Sequence, residues 1–139
     1  MSKATKPYIL FLLAAFMIPA CTTTITKSKS PVFSKSTDSL QTNLVKLVSC
    51  ENINLGGSEI TTDGKVNTEL EIDITNGRNI PEDESQMIDL GKKIATLIKN
   101  ALQDKSEYKS YKVLFITKTE NATVTKRSWK GKIFDAKEL

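Results

Sequence analysis

Val66-Asn67-Thr68-Glu69-Leu70-Glu71-Ile72-Asp73-Ile74 alternates apolar and polar residues almost without interruption. Successive side chains of a strand leave on opposite sides, so Val66, Leu70, Ile72 and Ile74 share one face while Glu69, Glu71 and Asp73 share the other. A half-buried strand is the direct reading, and with it a sheet that has one packed face and one wet face.

The flanking sequence supplies partners for this strand. Asp63-Gly64 upstream predicts a tight hairpin, because both central residues of a type I′ turn need positive φ and this pair tolerates it. The preceding run from about Cys50 to Thr61 is then the paired strand, and Gly56-Gly57 within it predicts a bulge. Asn76-Gly77 ends the hairpin. Beyond it, Met87, Leu90, Ile94, Leu97, Ile98, Ala101 and Leu102 recur at three- and four-residue steps, which predicts a helix over Pro81 to Asp104. Pro81 suits its first turn, and Glu82, Asp83 and Glu84 sit at the positive end of its dipole. The helix is expected to pack through Leu90, Ile94, Leu97 and Leu102.

Lys112 to Thr117 and Thr123 to Phe134 read as a second hairpin across Glu120-Asn121-Ala122. A shorter helix is expected ahead of the first hairpin, since Leu40, Leu44, Leu47 and Val48 have helical spacing after the capping cluster Ser36-Thr37-Asp38-Ser39. The expected fold class is α+β: one small domain, two β-hairpins in a mostly antiparallel four-stranded sheet, with the long helix and the short N-terminal helix on one face.

The beginning of the chain carries an address. Lys3 and Lys6 precede an apolar run from Tyr8 to Ile18. That run is too short to cross a hydrocarbon core of roughly 30 Å as a helix, but it suits the apolar region of a secretory signal. Ile18-Pro19-Ala20-Cys21 follows, and it resembles the lipobox of bacterial lipoprotein signal peptides. The resemblance implies diacylglyceryl attachment to the Cys21 thiol, cleavage before it and acylation of the new amino group. It divides the chain into a signal peptide over residues 1–20, a flexible tether over 21–36 that starts at lipidated Cys21, and a globular domain over 37–139. The Ser/Thr/Lys-rich composition of the tether supports that reading. The implied location is the bacterial cell envelope, and Thr22 stands where an aspartate would, by resemblance to the sorting signal of enteric bacteria, favour the inner membrane, so the outer membrane is the expected one.

Charge and residue usage narrow the function. The formal net charge of +4 hides an uneven distribution: residues 51–89 carry ten acids against Lys65 and Arg78, and residues 90–139 carry twelve bases against five acids. Such halves are expected to attract each other within one fold. The sequence has no histidine, which removes the commonest general base and the usual zinc ligand sets. With Cys21 acylated, Cys50 has no disulfide partner and is expected to be a small buried apolar residue.

On the wet face, Glu69, Glu71 and Asp73 are expected to meet Lys126, Lys130 and Lys132 of the last strand as cross-strand ion pairs, or to meet a partner. Trp129 has the other parity, with Arg127 and Ile133, and is expected at the core or its edge. Parallel carboxylates on a flat strand do not converge, so the row predicts neither a metal cage nor an acid–base pair. Lys126, Arg127, Lys130 and Lys132 around Trp129 have the composition of a nucleic-acid surface, but a lipid-anchored envelope protein rarely meets one. Asn121-Ala122-Thr123 matches a glycosylation acceptor that a bacterial lipoprotein would not use. The expectation is a non-enzymatic binding or assembly module without cofactor or metal. It would be held at the membrane by its lipid, with an envelope protein or glycan as partner and no nucleic acid. The alternative is a small carboxylate-dependent hydrolase or lyase using Tyr108 or Tyr111.

Overall fold

The computed structural model describes residues 23–34, 36–120 and 125–139. The signal segment and Cys21, Lys35, and the connection over 121–124 with its acceptor sequence lie outside the described residues. In chain order the elements are β1 (Thr24–Ser28), α1 (Thr37–Val48), β2 (Asn52–Thr62), β3 (Lys65–Thr75), α2 (Glu84–Ala101), β4 (Ser110–Glu120) and β5 (Thr125–Asp135). A 3-10 turn, Ala136–Glu138, follows.

The fold class is α+β, with a single mixed sheet of five strands in the order β1-β2-β3-β4-β5. Two features correct the expected four-stranded, mostly antiparallel sheet. First, β3 and β4 run parallel, with Ile72 opposite Val113, because the connection between them is a crossover through α2 instead of a hairpin. Second, β1 adds a strand inside the segment read as a flexible tether. Its residues pair with the far end of β2, Thr24 opposite Thr62 and Ser28 opposite Ser58. The polar composition misled because an edge strand needs no buried side chain. All five β1 residues are exposed, and backbone pairing holds them. The next residues are also fixed: Lys29 N donates to Gly57 O at 2.8 Å, Gln103 N to Val32 O at 2.9 Å, and Phe33 bridges Leu102 and packs on the core.

The turns follow the sequence. Asp63 and Gly64 have φ of 49° and 76°, and Asn76 has φ of 52°. Ser36 caps α1 by accepting from Asp38 N, and Asp83 caps α2 by accepting from Gln86 N at 2.9 Å. The long helix therefore starts after Asp83, with Pro81 just outside it. No bulge occurs at Gly56-Gly57, since the β2–β3 register is unbroken from Asn52 opposite Thr75 to Thr62 opposite Lys65. Gly57 answers a different demand: a Cβ there would stand 1.9 Å from Lys29 O and 2.3 Å from the Tyr108 hydroxyl.

One core lies between the helices and one face of the sheet. Leu40, Leu44 and Val48 of α1 join Met87, Ile94, Ala95 and Ile98 of α2 on Ile53, Leu70, Ile72, Ile74, Tyr111, Val113, Phe115 and Phe134. Leu97 is 44% exposed and Ile98 fully buried, so the packing stripe of α2 is rotated from the expected one by about one position. The inward row advances by four, three and four residues from Met87, and Leu97 flanks it. Val66 has core parity but is exposed, because it stands at the hairpin end beyond the helices.

Candidate functional site

The register places four cross-strand rows on the face that the helices leave open. Ser58, Glu69, Ser110 and Asp135 form one row; Gly56, Glu71, Lys112 and Ile133 the next. Asn54, Asp73, Leu114 and Gly131 form the third, and Asn52, Thr75, Ile116 and Trp129 the fourth. Glu69, Glu71 and Asp73 therefore do share the open face, as their alternation requires.

Lys126, Lys130 and Lys132 do not. Lys130 is opposite Phe115 and Lys132 opposite Val113, both core residues, so these lysines sit on the helix side of the sheet. The open-face residues of β5 are Thr125, Arg127, Trp129, Gly131, Ile133 and Asp135. Trp129 is 68% exposed and is not a core residue. The inversion has one cause: Phe134, opposite Tyr111, is the only buried residue of β5 and sets the facing of the whole strand. Its ring rests against Gly91 of α2, where an added Cβ would be 3.2 Å away. Lys130 and Lys132 remain exposed although they lie on the core side, where Glu84 and Met87 of α2 line an open groove with Lys130.

The cation that meets the acidic row comes instead from β4. Lys112 Nζ is 2.6 Å from Glu71 Oε2, and this hydrogen bond, with the charge of Glu71 behind it, holds the lysine above its ordinary pKa despite partial burial. Gly56, on the other side of Glu71, has nothing within 4 Å of a built Cβ, which leaves that flank of the carboxylate open.

Asp73 has a different environment. It lies between Asn54 and Leu114, and its Oδ1 is buried without a hydrogen-bond partner. Burial pushes its pKa up, and the negative charge of Glu71 adds to the shift; Arg127 and Lys112 oppose it. Together Glu71, Asp73, Lys112, Leu114, Ile116, Arg127 and Trp129 line a shallow depression of about 280 Å³. Ile116 forms its buried floor, 4% exposed yet outside the main core. A carboxyl short of hydrogen bonds, two cations and an exposed indole over an apolar floor can hold a polar ligand or the side chains of a partner.

The tyrosines stand elsewhere. Tyr111 is fully buried on the helix side, and Tyr108 donates to Lys29 O at 2.9 Å beneath the Lys29 ammonium. Burial first, then the nearby charge of Glu107, pushes both phenols to about 12, so they remain protonated at neutral pH. Cys50 is half-buried against the core, and burial raises its thiol pKa. Among the described residues, no three Cys, Asp or Glu side chains converge as metal ligands, and no helix is long and apolar enough to cross a membrane.

Sequence reasoning placed neither Lys112 nor Arg127 nor Trp129 on the open face. Lys112 had a signal, as the one charge in an apolar run. Arg127 and Trp129 had none, because the odd positions of β5 are the more apolar ones and only pairing with β4 turns them outward. No family model matches the sequence, and no curated protein or solved structure matches the chain.

Proposed function

We propose that this chain is a lipid-anchored bacterial envelope protein whose domain binds or helps assemble another envelope component through the open face of its sheet. Cys21 would carry the lipid. The observation that carries the binding reading is the depression around Asp73: a carboxyl with a buried, unpartnered oxygen, set among Lys112, Arg127 and the exposed Trp129. An unpaired buried polar atom is costly to a domain that stands alone, and a ligand that donates a hydrogen bond to it relieves that cost. The alternative of a carboxylate-dependent hydrolase or lyase needs a second uncommitted acid beside Asp73, and Glu71 is committed to Lys112.

With β1 starting at Thr24, only a few residues separate Cys21 from the sheet. At no more than about 3.6 Å per residue, the domain would stand within roughly 10 Å of the bilayer surface.

The test is site-directed photocrosslinking of the acylated protein in its native membranes. A photoreactive residue at Ser58, on the open face, should give a discrete adduct that one at Lys93, on the outer side of α2, does not. The triple change Glu69→Gln, Glu71→Gln, Asp73→Asn should remove it. Equal adducts from both positions, or an adduct indifferent to the triple change, would overturn the binding surface. Intact mass measurement of an unmodified Cys21 would separately overturn the anchor.

A further inference from the structure

We infer that the free edge of β5 accepts an extended acidic segment of another protein as a sixth strand. β5 is last in the sheet order, so every second residue turns its N–H and C=O away from β4, with no strand beside it among the described residues. The edge is long, eleven residues without proline, and exposed everywhere except Phe134. Native sheets usually shorten, cover or charge such an edge.

Here it is charged, but selectively. Lys126, Lys130 and Lys132 lie on the helix side and Arg127 on the open side. None has a carboxylate within 4 Å among the described residues. Glu82 and Glu84 line one groove with Lys130, and Glu71 and Asp73 line the open-face depression with Arg127.

Lysines that merely guard an edge would not need apolar companions, yet Trp129 and Ile133 are exposed on the same strand, with only Gly131 between them on that face. A second copy of the chain is a poor occupant. Its own β5 repeats the positive charges, its β1 edge contributes Lys27 and no acid, and its acidic β3 is already paired on both sides. Charge complementarity thus selects a partner strand from a different protein and rejects self-pairing by repulsion. In either strand direction, acids at alternate positions would oppose Lys126, Lys130 and Lys132. Apolar residues of the other parity would oppose Trp129 and Ile133. Main-chain bonds would supply affinity, and the alternation would supply specificity.

The test uses the full acylated chain in non-ionic detergent and a fluorescein-labelled peptide, Val-Glu-Tyr-Glu-Val-Glu-Thr-Glu. Fluorescence anisotropy should show binding that weakens with salt and falls about tenfold in Lys126→Gln/Lys130→Gln/Lys132→Gln. Replacing every Glu of the peptide by Lys should abolish it. N-methylating alternate peptide nitrogens, in either phase, tests the strand itself: one phase should prevent binding and the other should not, because only one edge of the peptide pairs with β5. The outward amides of β5 should gain hydrogen-exchange protection in the complex. The Glu69→Gln/Glu71→Gln/Asp73→Asn variant should still bind the peptide, which separates this edge from the open-face surface. Absence of binding, equal binding by both N-methylated peptides, or equal binding of a single-stranded oligonucleotide of the same charge would each overturn the proposal.

Discussion

β3 and β5 have equal length, and their positions in the sheet give them opposite fates. β3 lies between two strands and under two helices, and it buries Thr68, Leu70, Ile72 and Ile74 in unbroken alternation. β5 has one neighbour and buries Phe134 alone. A central strand is held by its own pattern, since turning it over would put Leu70, Ile72 and Ile74 into water and three carboxyls into the core. An edge strand has so little to bury that its neighbour decides its facing. In β5 a single aromatic opposite Tyr111, seated over Gly91, overrides the contrary hint of Trp129 and Ile133.

The largest effects that could break this contrast lie in the core. Ile72→Ala should cost about 2–5 kcal/mol and Phe134→Ala about 3–5 kcal/mol, as expected for fully buried side chains. Ile133→Ala should stay within about 0.5 kcal/mol, as for an exposed site. Urea midpoints of the three variants decide the matter. If Ile133→Ala rivals Ile72→Ala while Phe134→Ala is silent, β5 faces the other way, and the open face carries the lysines after all.

The same contrast explains what the sequence made legible. The first hairpin, both helices and the open-face placement of Glu69, Glu71 and Asp73 were readable because strong periodicity and turn residues coincide there: Asp63-Gly64 at positive φ, a capping Asp83, an alternating β3. β1 was not readable, because Thr24–Ser28 contributes backbone pairing and no buried side chain, and polar composition says nothing about pairing. The parallel β3–β4 contact was not readable either, since both strands satisfy their own patterns in either direction. The site suffered accordingly. Its acidic half belongs to the central strand and was visible; Arg127 and Trp129 belong to the edge and became visible only through the register.

A smaller effect distinguishes two adjacent glycines of β2, one on each side of the sheet. Gly57 faces Lys29 O and the Tyr108 hydroxyl, so Gly57→Ala must displace the segment that holds β1 in place; overpacking of this kind costs about 1–3 kcal/mol. Gly56 faces open space beside Glu71, and Gly56→Ala should be neutral or slightly stabilising, because alanine loses less backbone entropy on folding. Thermal unfolding of both variants, with hydrogen exchange across residues 24–33, reads the difference. Loss of stability in Gly56→Ala equal to that in Gly57→Ala would mean that a bulge exists and that the β2 register is not continuous.

The smallest effect concerns Asp73 of β3, whose surroundings disfavour its anion. Asp73 holds its proton more tightly in the fold than in the unfolded chain, where the value is about 3.8. Folding therefore takes up a proton through the range between those two values, and the contribution of Asp73 to stability declines as pH rises across it. Below the unfolded value, Asp73 is protonated in both states and contributes no such slope. Asp73→Asn removes the titration, so the stability of the variant relative to the parent should increase as pH rises past the unfolded value of about 3.8 and level off once Asp73 is ionised in the fold as well. Denaturation at intervals of half a pH unit would reveal the step, and Glu69→Gln, which lacks a buried oxygen without a partner, serves as its comparison. A relative stability that instead falls with pH would show Arg127 and Lys112 outweighing burial, with Asp73 already satisfied by the domain's own cations and no ligand needed to relieve it.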